Sequence, residues 1–221
     1  MDENVKHGAE ARRLAEWHRY YSAKRIGQQW IQVDLLKDLP VRKVLEVGPY
    51  MGLVTAMLDN AGYEVTTLDV LPLAFERPSR PHISADLVGL EPTVIAGFDA
   101  ILCCETLEHL PWDEVDGVLA TMRDSGARYL IVSVPYEAFQ IELLLYINRF
   151  ACRQRFAMTK LRFLKSFMPD AEPCGHKWEV GYRRRSLRAW ESKLKAAGWR
   201  ILVREFTHPT RSVFHVLDRP C

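Results

Sequence analysis

The segment VRKVLEVG (41–48) constrains this 221-residue chain more than any other. A compact β-branched run that stops at a glycine reads as a buried parallel strand. Gly52 follows, and Leu53, Val54, Met57 and Leu58 carry a helical pattern as far as Gly62, a suitable C-terminal glycine. YEVTTLDV (63–70) then reads as a second strand. A strand, turn, helix and strand in this order commit the chain to parallel pairing, with helices covering the sheet.

The rest of the chain extends that plan. Residues 5–38 read as helical, with Leu14, Trp17, Tyr21, Ile26, Trp30, Val33 and Leu36 at three- and four-residue steps, and Pro40 closes the stretch. Residues 1–40 are thus expected as an N-terminal helical segment and 41–221 as the main domain. After a proline-studded loop, LPLAFERPSRPH (71–82), short strands are expected at His82–Ala85 and at FDAILCC (98–104). A helix is expected at about Trp112–Asp124 and a strand at RYLIVSVP (128–135). From 136 to 168 apolar residues alternate with arginines and lysines, which predicts one or two basic amphipathic helices inserted into the domain. A helix at 186–197 and two antiparallel strands, 199–206 and 212–219, complete the sheet.

Composition narrows the function classes. The longest apolar run, Leu143 to Ile147, is far too short to span a membrane, and the polar N-terminus has no signal-peptide core. Five cysteines without a CxxC pair give no disulfide framework, so a reducing cytoplasm is the expected compartment. Adjacent Cys103 and Cys104 read as small core residues rather than as zinc ligands with Cys174 and His176. Between Val44 and Ala120 there are thirteen acids and two basic residues; between Arg149 and Arg188 there are eleven basic residues and three acids. The first block suits a hydroxylated or cationic ligand. The second is either a solvated face or an attractor of anions.

The candidate ligand site lies where the first strand meets its helix. In open α/β sheets the carboxyl ends of strands hold the ligand, and glycines let the backbone approach it. Asp69, ending the second strand about 20 residues on, is placed to accept bonds from both hydroxyls of a ribose. Together EVGPYMG (46–52), Asp69, Asp86 and FDAILCCETLEHL (98–110) resemble the class I S-adenosylmethionine-dependent methyltransferase family over about residues 41 to 219. The resemblance implies a Rossmann-like, mostly parallel α/β sheet with helices on both faces, an antiparallel C-terminal edge strand and S-adenosyl-L-methionine as cofactor. It implies Glu46 and Gly48 beside the cofactor's amino-acid moiety, with Pro49, Tyr50 and Gly52 in the same loop. Asp69 and Val70 would serve the ribose, Asp86 and Leu87 the adenine, and Cys104 and Glu105 the methyl end. Tyr50 replaces the middle glycine of the family's loop, so its side chain must point away or lie against the ligand. A dinucleotide oxidoreductase fits less well, because Leu53-Val54-Thr55 stands where that fingerprint wants a glycine.

Methyl transfer from a sulfonium needs the nucleophile held in line, and a base only when the acceptor is a hydroxyl. Glu105, Glu108, His109, His176 and Glu179 are the candidates. The leading expectation is O-methylation of a small molecule, sugar or natural product, with His109 or His176 as a metal-free base, Glu105 beside the methyl and the 136–168 insert as substrate lid. A second reading is sharper: Glu105, Glu108, His109 and His176 resemble the metal site of the small-RNA 3′-terminal 2′-O-methyltransferases, where a divalent ion faces vicinal ribose hydroxyls. The basic insert would then track phosphates. A third reading is a non-catalytic cofactor-binding partner subunit, with the insert as an oligomer or membrane-surface contact. The intact Glu46, Gly48, Gly52 and Asp69 speak against it. Trp178 is a candidate to stack on a ring of the substrate, whereas Trp190 shares a helical pattern with Leu187 and Leu194 and reads as core.

Overall fold

The computed structural model describes residues 3–70, 81–159, 162–170 and 175–220. The N-terminal helical stretch is divided into α1 (Glu3–Tyr20) and α2 (Ala23–Asp34). The break falls at Ser22, whose extended backbone and side-chain oxygen cap the second helix by accepting the Arg25 amide at 3.3 Å. Next come β1 (Lys43–Val47), α3 (Leu53–Asn60), β2 (Glu64–Asp69), β3 (His82–Ser84), β4 (Ala100–Cys104), α4 (Val115–Asp124) and β5 (Tyr129–Pro135). Most of the proline-studded loop, residues 71–80, lies outside the described residues. A hairpin, β6 (Ile141–Ile147) and β7 (Cys152–Met158), precedes α5 (Leu187–Ala196), β8 (Arg200–Phe206) and β9 (Ser212–Asp218).

The seven-stranded sheet runs in the order β3-β2-β1-β4-β5-β9-β8. The first five strands are mutually parallel, and β9 pairs antiparallel with both β5 and β8. Successive strand residues serve opposite faces, so two cores form. Leu45, Ile101, Cys103 and Val132 pack on one face with Leu119 of α4 and Trp190 of α5. Val44, Leu102, Cys104 and Ile131 pack on the other with Val33 of α2 and Leu58 of α3. Each large side chain so buried contributes about 1.5–3 kcal/mol relative to an exposed one. Cys103 and Cys104 are thereby divided between the cores, and burial pushes both thiols up, away from the reactive thiolate. Cys174 lies outside the described residues.

The insert corrects the sequence reading. Among the described residues of 136–168 there is no amphipathic helix: β6 and β7 pair antiparallel, Leu143 opposite Phe156 and Ile147 opposite Cys152, and a short 3₁₀ turn follows at Arg162–Leu164. Asn148 decides the difference. Its Oδ1 accepts the amides of both Phe150 and Ala151 at 2.8 Å, and its own amide donates to the Ala151 carbonyl at 2.9 Å. That turn reverses the chain within four residues, which no helix permits. Where apolar residues are dense, helical spacings also occur in a period-two pattern, and the turn residue is the better guide.

Candidate functional site

The carboxyl ends of β1, β2 and β4 converge as the alternating pattern requires. Glu46, near the end of β1, is buried at 4% exposure, and Gly48 donates its amide to the Leu68 carbonyl at 2.9 Å. Gly48 has φ of +70°, and a Cβ there would stand 2.7 Å from Oγ1 of Thr106. Only glycine fits. Gly52, at φ +73°, opens α3. Tyr50 also occupies the left-handed region, at φ +47°, and its side chain turns to α1: its ring lies 4.5 Å from that of Tyr20 and its hydroxyl donates to Glu16 at 3.3 Å. The tyrosine that replaces the middle glycine thus points away from the glycine turn and ties the N-terminal helix to it. Asp69 ends β2 half-buried, with Val70 exposed beyond it. Oδ1 of Asp86 accepts the Val88 amide at 3.0 Å, and Leu87 is buried behind it.

Past β4 the acids and histidines assemble. Glu105 sits in the left-handed region at φ +51°, an unusual conformation for a non-glycine residue, and accepts the Ser133 hydroxyl at 2.8 Å. Glu108 and His109 lie in the 3₁₀ turn Leu107–His109. His176 arrives from a loop far along the chain, held there by two bonds. The Lys177 amide donates to the Glu108 carbonyl at 2.7 Å, and Nε1 of Trp178 donates to the Leu110 carbonyl at 3.0 Å. Consequently Nε2 of His176 lies 3.9 Å from Oε1 of Glu108, and its ring centroid lies 5.1 Å from that of His109. One ligand atom from each of Glu108, His109 and His176 falls within 4.8 Å of the others.

The Glu108 side chain is 1% exposed, and neither of its carboxylate oxygens has a hydrogen-bond partner among the described residues. Burial, and then the charge of Glu105, push its carboxyl well above the usual range. Burial also raises Glu105, opposed by its hydrogen bond with Ser133. On the far side, Nδ1 of His176 lies 3.0 Å from Oε1 of Glu179, and that bond raises the imidazole pKa against the pull of burial.

The expected residues thus fall into two groups, a glycine turn beside Asp69 and a cluster of Glu105, Glu108, His109 and His176. Trp178 is corrected: it is 2% exposed, its ring 4.7 Å from Trp112 and 5.7 Å from Trp190, and so it belongs to the core and cannot stack on a ligand. Trp190 is core, as its spacing indicates. Sequence reading passes over Ser133, Gln28 and Ser212. Nε2 of Gln28 donates to Oγ of Ser212 at 2.8 Å, and both residues lie beside Glu105. It also passes over Tyr21, whose buried phenol, near Leu53 and Glu46, is raised to about 12 chiefly by burial. No sequence signal marks these residues, since tertiary folding alone brings them in.

No protein-family model and no curated protein sequence matches the chain. Solved structures do. The 1,6-didemethyltoxoflavin-N1-methyltransferase of Burkholderia thailandensis, crystallised with S-adenosylhomocysteine, shares 15% identity over 100% of this chain and 92% of its own, with a TM-score of 0.61. The magnesium protoporphyrin IX methyltransferase of Synechocystis PCC 6803, with S-adenosylhomocysteine, shares 16% over 94% of each chain, with a TM-score of 0.59. The methyltransferase domain of the bacterial protein CtHen1 shares 18% over 88% of this chain and 99% of its own, with a TM-score of 0.58. The fold is that of the class I S-adenosylmethionine-dependent methyltransferases. No helix among the described residues is long and apolar enough to cross a membrane.

Proposed function

We propose that the protein is an S-adenosylmethionine-dependent methyltransferase acting on a sugar hydroxyl, with Glu108, His109 and His176 as ligands of a divalent ion beside the acceptor. The cofactor supplies an activated methyl on a sulfonium. The glycine turn fits it, because a side chain at Gly48 is barred by Thr106 while Asp69 stands at the end of the neighbouring strand. Asp69→Ala is expected to weaken cofactor binding at least about tenfold. Unchanged affinity in the folded variant would remove Asp69 from the site.

The observation that carries the metal reading is Glu108. A buried carboxylate without hydrogen bonds is costly unless protonated or matched by a cation. Two imidazoles beside it make a donor set suited to Mn²⁺ or Zn²⁺. An ion held there would lower the pKa of an acceptor hydroxyl. Glu179 fixes the His176 ring, and Ser133 fixes Glu105 at the wall. The supporting resemblance is to the metal site of the small-RNA 3′-terminal methyltransferases, so acceptors with a vicinal diol, in a glycan or at an RNA 3′ end, come first.

The metal-free alternative has its own support, the bond of 3.0 Å that orients His176 on Glu179 as a general base would be oriented. Labelled cofactor, a panel of sugar and RNA acceptors, and chelation decide between them. Loss of activity on chelation, with recovery on adding Mn²⁺, Mg²⁺ or Zn²⁺, is expected. Activity indifferent to chelator, with a rate that rises through the titration of His176, would establish the base instead.

A further inference from the structure

The β6–β7 hairpin is the feature that the proposed reaction does not use. Residues directly opposite in an antiparallel pair share a face. Ile141 with Met158, Leu143 with Phe156, Leu145 with Gln154 and Ile147 with Cys152 therefore form one face, apolar except for Gln154. The other face carries Glu142 with Ala157, Leu144 with Arg155 and Tyr146 with Arg153, two cations to one acid. The apolar face is uncovered: Leu143 is 76% exposed, and Phe150 at the turn is 87% exposed. The base of the hairpin is pinned to the domain. The Gln140 side chain donates to the Thr210 carbonyl at 2.7 Å and accepts the Thr210 amide at 3.0 Å. Arg155 lies near Lys24, Arg25 and Arg211: burial and then the charges of the three arginines lower the Lys24 pKa, and Glu137, paired with Arg211 at 2.6 Å, opposes them.

We infer that this hairpin docks the protein on an anionic lipid surface, with its apolar face at the boundary between headgroups and acyl chains and its arginines at the phosphates. Charge complementarity selects this occupant: an exposed apolar face, with Arg149 at its turn and the long side chains of Arg153 and Arg155 on the face behind it, matches a negatively charged bilayer interface. A two-stranded ribbon keeps unpaired backbone groups along both edges, so it lies at headgroup depth and does not span. A second copy is a poorer fit. Two seven-residue strands offer a face on the order of 250 Å², against about 800 Å² per partner in a stable complex. RNA would use the arginines and the rings of Tyr146, Phe150 and Phe156, but Ile141, Leu143, Leu145, Ile147 and Met158, which make up most of the exposed face, offer no plane on which bases stack.

The test is cosedimentation of the full chain with vesicles of phosphatidylcholine containing about 30 mol % phosphatidylglycerol, against phosphatidylcholine alone. Binding is expected to the anionic vesicles, and it weakens when salt is raised from about 0.1 M to 0.5 M. Leu143→Asp with Leu145→Asp should reduce binding at least about tenfold while thermal stability and cofactor affinity stay unchanged, because both side chains face solvent. Failure to bind either vesicle, or equal binding by this variant, overturns the inference. So does a concentration-dependent dimer that the variant abolishes without lipid, which would make the occupant a second copy. Binding to a single-stranded RNA that tolerates the aspartates but not Arg153→Glu with Arg155→Glu overturns it in favour of RNA. None of these readouts requires methyl transfer, so the docking and the proposed reaction fail separately.

Discussion

His176 and Glu179 share a bond of 3.0 Å at Nδ1, which leaves Nε2 of the histidine directed to Glu108, 3.9 Å away. The glutamate selects the ring orientation whether His176 binds an ion or takes a proton. Glu179→Gln is therefore expected to lower kcat about 10- to 100-fold with cofactor affinity unchanged. A variant as active as the wild type would show that the ring is positioned by something else.

Gly48→Ala tests the turn itself. The new Cβ meets Oγ1 of Thr106 at 2.7 Å, and φ of +70° strains any L side chain. A loss of about 1–3 kcal/mol is expected in urea denaturation, with weaker cofactor binding. Adding Thr106→Ala should recover the steric part and leave the backbone part. If the double variant is no more stable than the single, the clash is not the cause.

Trp178 anchors the segment after His176 to the one after His109, through its ring contacts with Trp112 and Trp190 and its bond to the Leu110 carbonyl. Trp178→Ala should cost about 3–5 kcal/mol. Trp178→Phe keeps most of the ring volume but loses the donor, so it should fold at a cost of about 1 kcal/mol. Its affinity for Mn²⁺, followed by calorimetric titration, should fall because His176 is less firmly held. Full affinity in the phenylalanine variant would show that the Lys177 bond alone places the loop.

His215 on β9 provides a pH test away from the cluster. It is fully buried, with Nε2 3.3 Å from Oε1 of Glu191, and burial holds its pKa below the ordinary 6.5. The unfolded chain therefore takes up this proton first. Stability is full above 6.5 and declines as pH falls towards the folded-state pKa. Against the wild type, His215→Gln should flatten the fall in unfolding free energy between about pH 7 and 5. Identical slopes would show that other groups carry the acid sensitivity.

The turn after β1, the acid ending β2 and the alternation of strands with helices are local patterns, and they suffice to read the fold and the glycine cradle. Strand periodicity and glycine positions are properties of neighbouring residues, so they survive in one dimension. The hairpin at 141–158 is local too, but its dense apolar run satisfies both the helical and the strand period, and only the Asn148 turn separates them. The acid–histidine cluster is of another kind. ETLEH (105–109) and His176 are both visible as residues, but nothing in their separation states that they meet. Their meeting depends on the Lys177 amide reaching the Glu108 carbonyl and on Trp178 filling the core beneath, and Ser133, Gln28 and Ser212 enter the same wall from three further elements. Local patterning suffices for the glycine turn and the parallel sheet, since these follow from backbone conformation and local burial. Which acids and histidines meet follows only from the folded chain, because it depends on packing between segments distant in the sequence.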